Sequence, residues 1–258
     1  MSLKSALLKI YYLPFLPKEQ ANINQKKIRD TEWNAIKPYI PLNSKFLDVG
    51  CGAGYAMKKA IEEFNCECYG IDPDPGAHGV GRYDKDFVSG MNISKAAAEN
   101  IPFNDESFDV VYSSHVLEHV TDEVKSLEEM KRVLKSNGTL IIGMPTAAMA
   151  WINLITAWLF TTHMRLVNFF LSPFITTGKT KFINVFIPES HSDPRAKTIL
   201  YDLKHYRVSN WNRIVSGVFK IEKPFLPALY PYPEYRQLFR MRKNSKFSSS
   251  VFFICKKI

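Results

Sequence analysis

The sequence KFLDVGCGAG at residues 45–54 determines how the central part of the chain folds. Its first five residues are mostly apolar and predict a short buried strand, and residues 55–63 predict a helix directly afterwards. Between them, the glycines at positions 50, 52 and 54 allow a tight turn and a close approach of a ligand, which a Cβ atom would obstruct. The segment therefore predicts a strand, a turn and a helix that place bare backbone against a ligand.

An acidic residue follows this turn at an informative distance. Asp72 lies eighteen residues after Gly54, at the end of a second predicted strand at residues 68–71. A carboxylate in that position can accept hydrogen bonds from both hydroxyl groups of a ribose, so we expect a ligand that contains a nucleoside. The glycine spacing is G-x-G-x-G, whereas a dinucleotide fingerprint is G-x-G-x-x-G and holds a pyrophosphate at its helix N-terminus.

Short apolar runs alternate with helical stretches up to residue 146, which predicts a doubly wound α/β fold with a mostly parallel sheet. Residues 108–112 form a third apolar run, and residues 121–134 have apolar side chains at helical spacing. We expect the pair Asn137-Gly138 to end that helix, because glycine readily adopts a left-handed backbone. A further strand is predicted at residues 139–144.

Motifs in five places resemble the class I S-adenosylmethionine-dependent methyltransferases, in particular the small-molecule subgroup related to the ubiquinone and menaquinone pathway enzymes. The run LDVGCGAG at residues 47–54 is similar to the first motif of that family, and the resemblance extends over about residues 29–146. The further motifs are IDPD at 71–74, AENIPF at 98–103 with SFDVV at 107–111, HVLEHV at 115–120 and RVLKSNG at 132–138. The resemblance implies a seven-stranded Rossmann-like sheet and S-adenosylmethionine as cofactor, with S-adenosylhomocysteine as product.

The resemblance also implies roles for individual residues. Gly50, Cys51 and Gly52 would pass beneath the methionine part of the cofactor, Asp48 would orient its amino group, and Asp72 would hold the ribose. The other predicted cofactor-binding residues are Gly54 and Pro73, Glu99 and Asn100 beside the adenine, and Ser113 and Ser114 facing the transferred methyl group.

Methyl transfer from a sulfonium requires mainly proximity, in-line orientation and removal of water. We expect O- or C-methylation; a hydroxyl acceptor needs a base, and His115, beside the methyl-facing loop, is the predicted catalytic residue. His119 is a weaker candidate, because together with Glu118 it can simply open a helix. No metal site is predicted, since the spacing of the four cysteines matches neither zinc ligands nor a disulfide framework.

The chain of 258 residues is expected to form a single methyltransferase domain with four parts. They are an N-terminal helical cap (1–39), a cofactor-binding core (40–146), an apolar and aromatic lid insertion after the fifth strand (147–204), and a C-terminal helix with an antiparallel strand pair (205–258). Ser209 is expected to cap the C-terminal helix, and the strand at 249–255 to lie antiparallel beside the one at 218–221.

The insertion and the C-terminal third indicate the acceptor and the partners. Residues 139–178 are rich in aromatic side chains and carry one charge, Arg165, which favours an apolar small-molecule or lipid-linked acceptor. Residues 147–164 come nearest to a membrane-spanning helix but are interrupted by polar side chains. The net charge of +9 is unevenly spread: residues 179–258 hold 16 Lys and Arg against 5 Asp and Glu, whereas residues 1–178 hold 18 against 20. We expect a cytoplasmic protein that such a surface can bring into peripheral contact with a membrane, without an obligate protein partner.

Two other functions remain open. A binding protein that keeps the fold without catalysis is favoured by Ala97, where many members of the resembled family carry an aspartate that contacts the adenine, and is disfavoured by the intact glycine run and Asp72. A nucleic-acid methyltransferase is suggested by the basic C-terminal third. Nucleic acid is the less favoured partner, because Ser113-Ser114-His115 stands where an Asn-Pro-Pro-aromatic or Asp-Pro-Pro-aromatic motif would follow the fourth strand.

Overall fold

The computed structural model describes residues 15–80, 90–175, 190, 198–234, 239–243 and 247–258. Its helices are α1 (Lys18–Ile36), α2 (Tyr55–Phe64), α3 (Glu123–Val133), α4 (Ala147–Ile175), α5 (Ile199–His205) and α6 (Val208–Ser216), with a 3-10 turn at Lys37–Tyr39. Its strands are β1 (Lys45–Val49), β2 (Glu67–Asp72), β3 (Asn92–Lys95), β4 (Phe108–Ser114), β5 (Leu134–Pro145), β6 (Phe219–Phe225), β7 (Ala228–Leu229), β8 (Arg242–Lys243) and β9 (Ser250–Lys257).

Seven strands form the main sheet, in the order β3-β2-β1-β4-β5-β9-β6. The first five run parallel to one another, and β9 pairs antiparallel with both β5 and β6. The predicted doubly wound, mostly parallel sheet and the antiparallel insertion of the last strand are therefore confirmed. The chain order reverses between β1 and β4, and this switch point is where open α/β sheets bind ligands, at the carboxyl ends of the strands.

Apolar side chains cover both faces of this sheet. Phe46 on β1 packs in one cluster with Trp33 of α1 and Met57 of α2, whereas the next residue, Leu47, packs in another cluster with Leu127 of α3. Successive side chains of a strand point to opposite faces, so each face of β1 is covered by different helices. Burial on both faces explains why the central strands are continuous apolar runs in the sequence.

The predicted end of α3 is wrong. The helix ends at Val133, and Leu134 already has an extended backbone and pairs with Phe108 of β4. Asn137-Gly138 instead lies in the irregular first part of β5, where the register with β4 shifts. Leu134 and Phe108 are both fully buried, so their packing determines where the strand begins.

The predicted cap of the C-terminal helix is also wrong. The helix α6 begins at Val208, Ser209 lies inside its first turn, and no side chain caps its N-terminus. Trp211 and Val215 are completely buried on its inner face. Their packing positions the helix without help from a serine cap.

The insertion begins with α4, which follows β5 after one residue. Among the described parts of the chain, no helix is both long enough and apolar enough to cross a membrane. Residues 176–189 and 191–197 lie outside the described residues, so the lid and the four-part division of the chain stay predictions. Four large side chains on one side of α4 are between 47% and 57% exposed: Trp151, Ile155, Trp158 and Leu159.

Candidate active site

The candidate site lies at the carboxyl ends of β1, β2 and β4, beside the switch point of the sheet. Val49, the last residue of β1, pairs with Ile71 of β2 on one side and with Ser113 of β4 on the other. The glycine turn, the acidic end of β2 and the serines that end β4 are therefore brought to one edge of the sheet.

The turn after β1 has the backbone conformation that its glycines predict. Gly50, Gly52 and Gly54 have φ angles of 75°, 51° and 80°, in the left-handed region that residues with a side chain rarely adopt. A Cβ atom at Gly52 would lie 2.6 Å from the carbonyl oxygen of His78, and one at Gly50 would lie 2.2 Å from Cγ2 of Val116. The turn is thus held between the segment after β2 and the segment after β4.

Asp72 is joined directly to this glycine turn. Its Oδ2 accepts a hydrogen bond from the N–H of Gly52 at 2.8 Å, and its Oδ1 accepts one from the N–H of Asp74 at 2.8 Å. Because a carboxylate has about four lone-pair sites, each oxygen retains one for a further donor. The carboxylate that the sequence predicted as the ribose ligand is therefore adjacent to the glycines.

A second carboxyl group, that of Asp48 on β1, is buried close to Asp72. Burial and the negative charge of Asp72 raise the pKa of Asp48 to about 8. Within the described residues, no Lys, Arg or His forms an ion pair with either carboxyl group. The site consequently has an excess of negative charge, which favours a cationic ligand and disfavours a pyrophosphate.

Ser113 contributes a buried hydroxyl to the same edge. The residue is almost completely buried, and its Oγ has no hydrogen-bond partner within the described part of the chain. Ser114 follows it at the end of β4, opposite Gly143 of β5. Buried hydroxyl groups are normally hydrogen-bonded, so the Ser113 hydroxyl indicates a place where a ligand supplies the missing partner.

The segment predicted to border the adenine follows β3 and lies beside the end of β2. The N–H of Ala96 donates to the carbonyl oxygen of Asp72 at 3.2 Å, which brings this segment close to the predicted ribose ligand. Glu99 is half-buried and its Oε1 accepts hydrogen bonds from the N–H and the hydroxyl of Thr121, at 2.9 and 3.2 Å. Asn100 is exposed.

Two further predicted residues differ in exposure. Cys51, within the glycine turn, is buried, and burial raises the pKa of its thiol well above the usual range. It is therefore a neutral thiol rather than a thiolate nucleophile. Pro73, directly after β2, is exposed to solvent.

His115, the predicted catalytic residue, follows β4 directly, with a φ angle of 58°. Its Nε2 lies 3.4 Å from Oε1 of Glu32, and its Nδ1 lies 3.5 Å from Oε1 of Glu118. Burial and the charge of Arg29 lower the pKa of His115, but hydrogen bonds to Glu118 and Glu32 outweigh them and raise it above its ordinary value. Each ring nitrogen thus faces a carboxylate oxygen. The role of His115 as general base stays a prediction, which these contacts disfavour.

Glu32 of α1 is the centre of a buried polar cluster that the sequence analysis missed. Its Oε2 pairs with Arg29, and its Oε1 accepts hydrogen bonds from the hydroxyl groups of Tyr230 at 2.9 Å and Ser250 at 2.6 Å, besides facing His115. Burial raises the pKa of Glu32, but the charges of Arg29 and His115 lower it far below the usual range. Tyr230, Ser250 and His115 are distant from Glu32 along the chain, so no local pattern indicates that they meet it.

The stretch that contains this site matches a known family. The family model described as a methyltransferase domain matches residues 47–142, which include the glycine turn, Asp72 and His115. The chain contains a class I S-adenosylmethionine-dependent methyltransferase domain. The family predicted from the motifs is thus confirmed.

Proteins of several activities share this domain. The tRNA U34 carboxymethyltransferase of Nautilia profundicola is 34% identical over 113 residues, which are 43% of this chain and 38% of that protein. The demethylmenaquinone methyltransferase of Staphylococcus haemolyticus is 33% identical over 106 residues, 40% of this chain and 44% of that protein. The chain spans about two fifths of the length of the curated relatives it matches.

A solved structure supports the fold over nearly the whole chain. The S-adenosylmethionine-dependent methyltransferase from Thermotoga maritima superposes with a TM-score of 0.54 at 18% identity, and the match covers 93% of this chain and 94% of that one. At that identity the likeness concerns the fold, and it agrees with the seven-stranded sheet described above.

The cofactor of this family is S-adenosylmethionine, and the described residues fit it. The cofactor has a sulfonium and an ammonium group, which match the buried Asp48 and Asp72 without a basic partner. Its ribose offers two hydroxyl donors to the remaining lone pairs of Asp72. The unpartnered Ser113 hydroxyl lies at the end of β4 next to β1, within the same edge.

The Glu32 cluster yields a stability prediction. Glu32→Gln removes the charge that faces Arg29 and His115, so we expect the free energy of unfolding to fall by about 3 kcal/mol, because the remaining charges lose their partner in a buried place. Urea denaturation at neutral pH measures this change. Glu19→Gln, at an exposed position of the same helix, is the control and should leave the stability unchanged; equal stability of both variants would contradict the role given to Glu32.

Proposed function

We propose that this chain transfers a methyl group from S-adenosylmethionine to a small-molecule or lipid-linked acceptor. The observation that carries the proposal is the pair of buried carboxyl groups, Asp48 and Asp72, beside the glycine turn and without a basic partner in the described residues. A nucleoside with a sulfonium and an ammonium group neutralises this charge, whereas a dinucleotide would bring pyrophosphate charge to the same place.

The proposed binding mode follows the positions of the side chains at the sheet edge. The glycine turn passes beneath the methionine part, Asp72 holds the ribose, the segment with Glu99 and Asn100 borders the adenine, and Ser113 and Ser114 face the methyl group. The bound cofactor supplies an electrophilic methyl group on sulfur. The contribution of the chain is to hold the acceptor in line with that methyl group and to exclude water.

The nature of the acceptor is inferred from the surroundings of the domain. The helix α4 contains no acidic side chain, and its exposed side is apolar, which supports an apolar or lipid-linked acceptor. Nucleic acid is the second candidate, favoured by the basic residues of 179–258. The tRNA-modifying activity in the name of one relative is a property of that protein, and the match covers 38% of its length.

Removing the Asp72 carboxylate should weaken cofactor binding. Asp72→Ala loses the acceptor for both ribose hydroxyls, and hydrogen bonds to a charged group contribute about 1.5–3 kcal/mol each, so we expect at least ~100-fold weaker binding. Isothermal titration calorimetry with S-adenosylmethionine measures it. Glu62→Ala, an exposed carboxylate on α2, is the control. Unchanged affinity in a folded Asp72→Ala protein would contradict the proposed binding mode.

Binding should depend on pH through Asp48. Its pKa in the free protein is about 8, so at pH 6 this carboxyl group is protonated, whereas a cationic ligand favours the ionised form. Affinity for S-adenosylmethionine should therefore rise with pH from 6 to 8, by at most about tenfold per unit, and level off above 8. Asp48→Asn should lack this rise. If the affinity of wild type and of Asp48→Asn changes with pH in the same way, the ionisation of Asp48 does not contribute to cofactor binding.

A peripheral membrane contact is proposed for the exposed side of α4. Trp151 and Trp158 are more than half exposed there, and Ile155 and Leu159 extend the same apolar surface. Trp side chains favour the boundary between lipid and water, since they combine a large apolar ring with an N–H donor. The basic excess of residues 179–258 adds attraction to anionic lipids.

Vesicle flotation tests this contact. The protein should co-float with vesicles that contain phosphatidylglycerol, and Trp151→Ala combined with Trp158→Ala should reduce the bound fraction about tenfold or more, because each buried ring contributes about 1.5–3 kcal/mol. Leu42→Ala, which alters an exposed apolar side chain of the loop before β1, is the control. Wild-type protein that stays with the lipid-free fraction would count against the membrane contact.

A further inference from the structure

A buried carboxylate oxygen without a hydrogen-bond donor lies just after β4. Glu118 has a side chain that is 4% exposed, and its Oε1 lies 3.5 Å from Nδ1 of His115 and 4.0 Å from Nε2 of His119. Its Oε2 has no hydrogen-bond partner within the described residues. Leaving a buried charged oxygen unpaired costs several kcal/mol, so a donor from outside the described residues is expected.

The segment after β4 that contains Glu118 lies close to the glycine turn. Val116, two residues before Glu118, packs against Gly50 so closely that a Cβ atom there would be 2.2 Å from its Cγ2. Ser113 at the start of the segment pairs with Val49, the residue before the glycine turn. Val116 therefore lies against the glycine turn, where the proposed function places the methionine part of the cofactor, and Glu118 follows two residues later.

The neighbouring side chains do not supply the missing donor. Arg29 pairs with Oε2 of Glu32, and His115 lies between Glu32 and Oε1 of Glu118. Arg29 and His115 thus face Glu32 and Oε1 of Glu118, and among the described side chains Oε2 of Glu118 is left without a donor. A ligand that brings an N–H donor or a positive charge satisfies this oxygen without disturbing the other contacts.

We propose that the methyl acceptor is an amine, whose N–H donates to Oε2 of Glu118 while its lone pair attacks the cofactor methyl group. This inference rests on the proposed function. The S–CH₃ bond breaks with its electron pair going to sulfur, an N–CH₃ bond forms, and the nitrogen becomes positively charged. That charge develops in the transition state, where a fixed carboxylate stabilises it more than in the ground state. The proton then leaves from nitrogen to water.

An oxygen acceptor fits the same groups less well, in contrast to the O- or C-methylation expected from the sequence. A hydroxyl must lose its proton to attack, and both nitrogens of His115 face carboxylates. Burial raises the pKa of Glu118, but its hydrogen bond with His115 and the charges of His115 and His119 lower it below the usual value, so it is a weak base. An amine attacks as the neutral free base and requires an anion rather than a strong base.

The test uses an analogue of S-adenosylmethionine in which a carbon bearing an amine replaces the methylated sulfur, so that an ammonium group occupies the place of the methyl group. Its affinity is compared with that of S-adenosylhomocysteine, which lacks both methyl and amine. Wild-type protein should bind the amine analogue about tenfold or more tightly than S-adenosylhomocysteine. Glu118→Gln should lose this preference while keeping its affinity for S-adenosylhomocysteine.

The control is Glu123→Gln, which alters another carboxylate in contact with an imidazole. Glu123 is the first residue of α3, and its Oε1 lies 2.9 Å from Nε2 of His205. This variant should keep the wild-type preference for the amine analogue. Equal binding of both analogues by wild type, or an undiminished preference in Glu118→Gln, would overturn the amine acceptor. Failure of S-adenosylhomocysteine to bind wild type would instead contradict the proposed function itself, so the two failures are distinguishable.

Discussion

The hydrogen bond from the N–H of Gly52 to the carboxylate of Asp72 holds the ligand-binding edge of this domain together. It joins the turn after β1 to the end of β2 at 2.8 Å, and it requires a residue without a side chain, because a Cβ atom at Gly52 would meet the carbonyl oxygen of His78. Close behind it lies Asp48, whose burial beside a second carboxylate is unfavourable without a cation. Burial therefore favours the protonated form of Asp48 below about pH 8, and a positively charged nucleoside favours the ionised form.

The cluster around Glu32 connects this edge to distant parts of the chain. The carboxylate of Glu32 accepts hydrogen bonds from Tyr230 and Ser250 and faces His115. The N-terminal helix, the segment after β4 and the start of the last strand thus meet at a single buried side chain. Since His115 contacts Glu32, the helix α1 helps to position the segment after β4 besides covering the sheet.

The sequence was sufficient for the sheet and for the glycine turn because these depend on local patterns. Apolar runs of four or five residues and the glycine spacing predict β1, β2 and β4 to within two residues, and the left-handed φ angles of Gly50 and Gly52 follow from residue type. The prediction fails at Gly138, where burial of Leu134 overrides the helix-ending tendency of Asn-Gly. It also missed the burial of Glu32 and Arg29, because Glu32 is covered by Tyr230, Ser250 and His115, which come from distant parts of the chain.

The electrostatic character of the edge is the central claim, and the binding of charged adenosine ligands tests it most directly. Equilibrium binding of S-adenosylmethionine and of NAD to the intact chain should be compared at pH 8, where Asp48 is substantially ionised. The account predicts saturable binding of S-adenosylmethionine and no measurable binding of NAD, because the pyrophosphate would face two carboxylates. Binding of NAD with equal or greater affinity would contradict it.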